Sequence, residues 1–319
     1  GISVTGGSSD DWVRVYGLPA QTSLNVFSNA GNDVIDVAPL ANRIGDTLKS
    51  PVAIDAGPGV NQLNVNEAVS TAGDQLILQA NQVLGVVGAV PFQVNYGASG
   101  GTFSGVNVTT GASDDWVRVF GSPAAPLNVQ TRNGNDVIEV AAQANRLGDV
   151  LAGAVSVDAG AGANSLRVSE AASAAGDVFN LTTNQIVGAG PVPFVVNFAA
   201  SGGSFSGIVL TTGVNDDWVR FFSKPAAPVT IQSGAGNDVI DLSVSKSAPF
   251  NNLTVDGGAG NNIIEVFDQT GGAQLQTSPS SSTSGETRVL YLGLYVDDLY
   301  FQNVSTTSGI RLFAKTVSL

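Results

Sequence analysis

The sequence predicts an all-β chain, a parallel β-helix or β-solenoid made of about three repeats of ~103 residues. Three observations carry this reading. Asp-Asp-Trp-Val-Arg stands at Asp10–Arg14, Asp114–Arg118 and Asp216–Arg220, so the tryptophans lie 104 and then 102 residues apart. Gly-Asn-Asp-Val-Ile follows each copy at a similar distance, at Gly31–Ile35, Gly134–Ile138 and Gly236–Ile240. The intervals are filled by apolar-x-apolar runs separated by turns rich in Gly, Asn and Asp, the signature of short alternating strands.

The first repeat, residues 1–104, pairs such runs around single turns. Leu24-Asn-Val leads through a turn to Val34-Ile-Asp-Val, and Val52-Ala-Ile leads to Leu63-Asn-Val. The second repeat, 105–206, opens with Val106-Asn-Val before Trp116-Val-Arg-Val and then repeats the same order. The third, 207–319, keeps the order as far as Asn262. A Ser/Thr-rich stretch at 276–287 then reads as a loop, and an aromatic-rich run from Val289 to Phe301 reads as a divergent C-terminal coil.

Within each repeat the turns occupy nine-residue frames, such as Gly6–Arg14, Ser28–Asp36 and Ala56–Asn64. The sixth position holds Asp11, Asp33 and Asn61 in the first copy. In the second it holds Asp115, Asp136 and Asn164, and in the third Asp217, Asp238 and Asn262. The spacing of these positions suggests four coils of roughly 26 residues per repeat, with a weaker fourth turn near Gly88–Phe92 and Gly190–Phe194. Three tandem β-sandwich domains are the competing architecture, since a ~103-residue unit has the right size. The solenoid is preferred because the frame recurs inside the unit, which a Greek key does not require.

The frame resembles the nonapeptide of the haemolysin-type (RTX) calcium-binding β-roll. Ser233–Asp241 and Gly257–Glu265 match it most fully, although here the frames are separated by longer stretches. The resemblance implies calcium as a cofactor, with Asp33, Asp136 and Asp238, and beside them Asp11, Asp115 and Asp217, as metal ligands. A hard cation takes several oxygens from neighbouring turns. The bland alternative stays open: Asp and Asn suit such turns because they tolerate left-handed backbone and bond their own main chain. The order Leu63-Asn-Val-Asn-Glu, then Ala72-Gly-Asp, then Gly85 to Phe92 also resembles the long repeats of giant planctomycete-type surface proteins, which implies an extracellular or cell-surface setting.

Composition excludes several functions. Apolar residues make up 43% and charged residues 12%, and the net charge is −13 with only 13 basic residues. Nucleic acid is therefore a poor partner. No apolar run approaches the ~18 residues of a membrane span. Histidine and cysteine are absent, which removes the usual triads, thiol nucleophiles and most zinc sites.

The Asp10/Asp11, Asp114/Asp115 and Asp216/Asp217 pairs could serve as catalytic carboxylates of a carbohydrate-active enzyme on a β-helix. Their presence in every copy argues instead for a surface ladder in which Arg14, Arg118 and Arg220 pair with them. Trp12, Trp116 and Trp218 could stack on sugars, but their places just after turns suit large core or corner side chains. The expected function is a non-enzymatic structural segment of an extracellular fibre, surface layer or adhesin stalk. Such a segment would associate with itself end to end or continue a longer chain. A ligand- or carbohydrate-binding adhesin module and an enzyme are the alternatives.

Overall fold

In a computed structural model the chain is nearly all β, with successive coils stacked in parallel. The structure describes every residue except 88–90, 142–145, 245–251, 269–272, 280–284, 292–293, 303, 305–309 and 315–319. The chain divides into two compact units that interleave in sequence. One comprises Gly1–Ala141, Val150–Ser165 and Val196–Ser204, the other Ala142–Asp149, Leu166–Val195 and Phe205–Leu319.

In the first unit the chain passes alternately between two sheets. One sheet contains, in spatial order, Ile2–Thr5, Leu24–Phe27, Val52–Asp55, Phe92–Gly97, Gln82–Val87, Gln75–Gln79, Trp116–Val119 and Val137–Ala141. The other runs Trp12–Val15, Val34–Val37, Val60–Asn66, Thr102–Thr109, Leu127–Gln130 and Val155–Asp158, and the last pairs with residues 196–199. Each coil thus gives one strand to each sheet. Parallel pairing between coils, as in Trp12↔Val34 and Val34↔Gln62, is a solenoid arrangement and replaces the sandwich alternative.

Alternation within each short strand decides the core. Val52–Asp55 and Leu127–Gln130 bury every second side chain, because successive residues point to opposite faces. Stacking in register then turns these positions into columns. Ile35, Leu63, Val106, Leu127, Val155 and Val196 lie one above another, each no more than 1% exposed. Full burial of such a side chain contributes roughly 1.5–3 kcal/mol.

The coils are unequal. Ile2 pairs with Leu24, Leu24 with Val52 and Val52 with Val94, rises of 22, 28 and 42 residues. The 28-residue coil places its excess in a corner, where the short helix Ile44–Thr47 turns Ile44 and Leu48 fully inward. The longest interval is not the pair of regular coils expected from the spacing. Gln75–Gln79, Gln82–Val87 and Phe92–Gly97 form an antiparallel excursion within one sheet. Of the expected turn near Gly88–Phe92, residues 88–90 lie outside the described residues.

That excursion gives each repeat an odd number of passes between the sheets. The strand bearing Trp12 and the strand bearing Trp116 consequently lie in different sheets.

The second unit follows the same plan. One sheet orders Val229–Gln232, Leu253–Asp256, Leu294–Gln302, Gly285–Tyr291 and Ala273–Pro279, and the other orders Gln185–Gly188, Val178–Leu181, Trp218–Phe221, Val239–Val244, Ile263–Asp268 and Ile310–Ala314. Residues 276–279 and 285–287, expected as loop, are instead strand: Ala273–Pro279 pairs antiparallel with Gly285–Tyr291. The middle of that stretch, 280–284, lies outside the described residues. Thr277, Ser278 and Thr287 lie within the paired strands and do not break the ladder.

Candidate functional site

The repeated acidic positions gather at the corners of the coils. Two opposed ladders of hydrogen bonds run through each corner. In the inner ladder the N–H of Asp11 donates to Asp33 Oδ1 at 2.8 Å, and that of Asp33 to Asn61 Oδ1 at 2.9 Å. In the outer ladder Asn32 N–H donates to Asp10 Oδ1 at 2.7 Å, and Val60 N–H to Asn32 Oδ1 at 2.9 Å. The inner side chain receives its amide from the preceding coil, whereas the outer one receives it from the following coil.

The second and third copies repeat this with one more member. Asp74, Asp115, Asp136 and Asn164 are joined by bonds of 2.8, 2.8 and 2.9 Å from each main-chain amide to the Oδ1 of the next side chain. Asp177, Asp217, Asp238 and Asn262 are joined by bonds of 2.7, 2.9 and 3.0 Å. The six aspartates expected as calcium ligands therefore pair as neighbours: Asp11 with Asp33, Asp115 with Asp136, Asp217 with Asp238.

Local backbone explains why only these residues fit. Gly31 and Gly59 adopt φ of +136° and +133°, and a Cβ on Gly59 would stand 1.8 Å from the Gly31 carbonyl oxygen of the coil below. Coils stacked this closely bury the sixth position: Asp33 and Asp136 are 1% exposed and Asp238 is fully buried. An unpaired amide at such a depth is costly, and a short carboxyl or carboxamide reaches it. Each ladder ends on Asn for a further reason. Asn61 Nδ2 donates to the carbonyls of Gly57 and Thr102 at 3.2 and 3.4 Å, which a carboxylate cannot do.

Burial shifts these acids. Desolvation pushes Asp115 up to about 6, with neighbouring Asp136 adding to it and the Thr110 hydroxyl opposing it. Asp238 is likewise raised to about 6 by desolvation, while Asp136 and Asp217 are raised for the same reason. Oδ2 of Asp33, Asp115, Asp136 and Asp238 is buried with no hydrogen-bond partner. These oxygens are the places where a proton or a cation would sit. Among the described residues no three acidic side chains converge on a common point, so any one metal would take most of its ligands from main-chain carbonyls and hydroxyls.

A second buried group was hidden in the sequence. Glu67 and Glu170, each 1% exposed, accept the N–H of Ile44 and Leu147 at 3.0 and 2.9 Å, at the start of the corner helices. Their Oε1 atoms have no partner. Desolvation raises Glu67 to about 8, and Asp74 and Asp115 add to the shift while Arg43 opposes it. Glu170 is raised by the same burial. Beside them Arg43 Nε donates to Asp74 at 2.8 Å and Arg146 Nε to Asp177 at 3.0 Å. The available signal was identity at a spacing of 103 residues: Arg43/Arg146, Glu67/Glu170 and Asp74/Asp177.

The tryptophans and arginines correct the expectation. Trp12, Trp116 and Trp218 are not core or corner residues: they are 63%, 36% and 39% exposed. Arg14, Arg118 and Arg220 do not pair with the Asp doublets. Their guanidinium carbons lie 3.3, 3.6 and 3.5 Å from the ring centroids, a cation–π geometry. Trp12 Nε1 and Trp218 Nε1 donate to Asp36 and Asp241 at 2.6 Å.

No protein-family model matches this chain. No curated protein matches it either. The repeated carboxylates of Asp33, Asp115, Asp136, Asp217 and Asp238 accept main-chain amides from adjacent coils, whereas Asp11 accepts the Gly7 amide of its own turn.

Proposed function

We propose that the chain is a non-enzymatic structural segment of an extracellular fibre, surface layer or adhesin stalk. One observation supports this most directly. The acidic pairs that resemble catalytic doublets are bound to backbone: Asp10, Asp114 and Asp216 each hold an Asn amide at 2.7 Å, and Asp11, Asp115 and Asp217 belong to the inner ladders. A general acid or nucleophile has to be oriented toward substrate, whereas the amide that each of these carboxyls holds orients it toward the main chain. Residues whose repeated job is to fasten one coil to the next give mechanical continuity, and nearest-neighbour stacking extends it with each added repeat. The acidic surface, −13 overall, keeps such material soluble by self-repulsion.

Negative-stain microscopy and sedimentation of the purified chain test this, with rods or end-to-end assemblies expected. Release of unsaturated or reducing sugar from a panel of polysaccharides would overturn it.

The four partnerless Oδ2 atoms favour a second form of the same role, in which calcium bridges neighbouring turns at Asp33, Asp136 and Asp238. A ligand that binds only the folded state raises the melting temperature with its concentration. Equal melting in excess chelator and in millimolar calcium would eliminate this form, leaving the side chains as holders of the turn.

A further inference from the structure

One turn recurs in all three copies with a different donor serving its carbonyls. Leu18-Pro-Ala, Ser122-Pro-Ala-Ala-Pro and Lys224-Pro-Ala-Ala-Pro each begin six residues after the repeated tryptophan. In the third copy Lys224 Nζ donates to the carbonyls of Pro225 and Ala227 at 3.0 and 2.9 Å. In the first, Ser50 Oγ donates to the Pro19 carbonyl at 3.0 Å, and Thr22 Oγ1 to that of Ala20 at 3.4 Å.

The second copy supplies neither donor. Ser122 stands in the place of Lys224, and its hydroxyl is engaged with the Gly153 carbonyl at 2.7 Å. Gly153 stands in the place of Ser50: it lies two residues after the bridge Ser122↔Leu151, as Ser50 lies two after Leu18↔Leu48. Among the described residues no N–H or O–H reaches the carbonyls of Pro123, Ala124 or Ala125. Those three oxygens nevertheless converge, since a Cβ on Gly153 would stand within 2.8 Å of every one of them. Glycine keeps clear the space around which they gather.

The same turn forms one wall of a pocket of about 620 Å³. Tyr96 and Phe103 belong to another wall, packed edge to face with centroids 5.8 Å apart. The Tyr96 hydroxyl donates to the Gln79 carbonyl at 2.9 Å, which fixes its ring. No Asp, Glu, Lys or Arg lines the pocket, so its polar recognition falls to main-chain carbonyls, the Ser122 hydroxyl and Asn81. A small ligand with an apolar body and one polar head suits such a lining.

The head is specified by what the carbonyls lack. An alkylammonium carries three N–H donors and no acceptor, so three gathered carbonyl oxygens match it. The net charge of −13 draws cations toward the chain. We propose that the turn at 122–126 is a binding site for a primary alkylammonium group, with the carbonyls of Pro123, Ala124 and Ala125 receiving its donors and its apolar body lying against Tyr96 and Phe103. Lys224 plays the part of that group from within the chain in the third copy. This goes beyond the structural role proposed above and does not rest on it.

The probe is n-butylamine, titrated at neutral pH and fixed ionic strength into the isotope-labelled full chain, with n-butanol as the uncharged control. Saturable NMR shifts are expected at the Ala124, Ala125 and Gly153 amides, with the amine binding at least about tenfold more tightly than the alcohol. Ser122→Lys provides an ammonium from within, as Lys224 does, and should abolish the shifts. The alcohol comparison leaves the protein untouched, so the test holds even where S122K weakens the fold. Nα-acetyl-lysine amide separates the sources: binding as tight as that of butylamine assigns the site to a lysine side chain, and rejection assigns it to a free amine. Equal binding of amine and alcohol, shifts confined to other parts of the chain, unchanged binding by folded S122K, or no saturation at about 0.1 M amine would overturn the inference.

Discussion

Replacing Glu67 by Gln should convert a pH-dependent corner into an indifferent one. The folded carboxyl titrates at about 8 against an ordinary 4.5, chiefly because it is desolvated. A folded value above the unfolded one means that the native state holds a proton which the unfolded chain releases. Stability from this group is therefore complete below about pH 4.5 and is lost as pH rises through 8. At 1.36 kcal/mol per pH unit the loss is about 3 kcal/mol by pH 7 and approaches about 5 kcal/mol above pH 8. Glutamine keeps an oxygen for the Ile44 amide, now at 3.0 Å from Glu67 Oε2, and has no charge to bury. Urea unfolding at a series of pH values, with hydrogen exchange at the Ile44 amide as the local readout, gives the difference between the two proteins. E67Q should match the parent near pH 4.5 and exceed it by about 3 kcal/mol at pH 7. Parallel profiles across that range would show that the buried glutamate is not the proton-linked group.

Two further substitutions probe the corner. Gly59→Ala places a methyl 1.8 Å from the Gly31 carbonyl oxygen in a backbone with φ of +133°. It should cost on the order of 3 kcal/mol in thermal or chemical unfolding, whereas Gly97→Ala, with nothing within 4 Å of the added Cβ, should lie within about 1 kcal/mol of the parent. Asn61→Asp removes the donor that meets the Gly57 and Thr102 carbonyls and buries a carboxylate against them. A loss of roughly 2–3 kcal/mol at neutral pH is expected, with recovery in acid as the new group takes up a proton, and pH-dependent melting measures both.

Much of this fold was legible because its signals are local. Alternation in Leu24-Asn-Val or Val52-Ala-Ile marks a half-buried strand without reference to anything distant, and the glycines with φ near +130°, such as Gly31 and Gly59, mark a backbone that side chains rarely adopt. The frame positions also mark side chains that meet: the amides of Asp11, Asp115 and Asp217 donate to Asp33, Asp136 and Asp238. Their partners were not legible, since an amide 21 or 28 residues away leaves no trace in composition. Glu67 reads as one more polar residue after Leu63-Asn-Val-Asn, and only the corner helix that begins at Ile44 makes it buried. The tryptophans misled for a related reason. Size suggests a core place, but the arginine two residues on, which points to the same face of the strand, gives the ring an exposed one. The excursion at Gln75–Gly97 was taken for additional coils because a strand that reverses within its sheet carries the same alternation as one that advances.

The odd number of passes per repeat has a consequence for anything that approaches from the side. Duplication of a gene segment normally multiplies a surface feature along a single face, where even weak contacts combine into strong avidity. Here Trp12 with Arg14 and Trp116 with Arg118 belong to different sheets. A flat partner that engages one of these clusters cannot reach the next in sequence, so lengthening the array by whole repeats adds span without adding stickiness at the same rate.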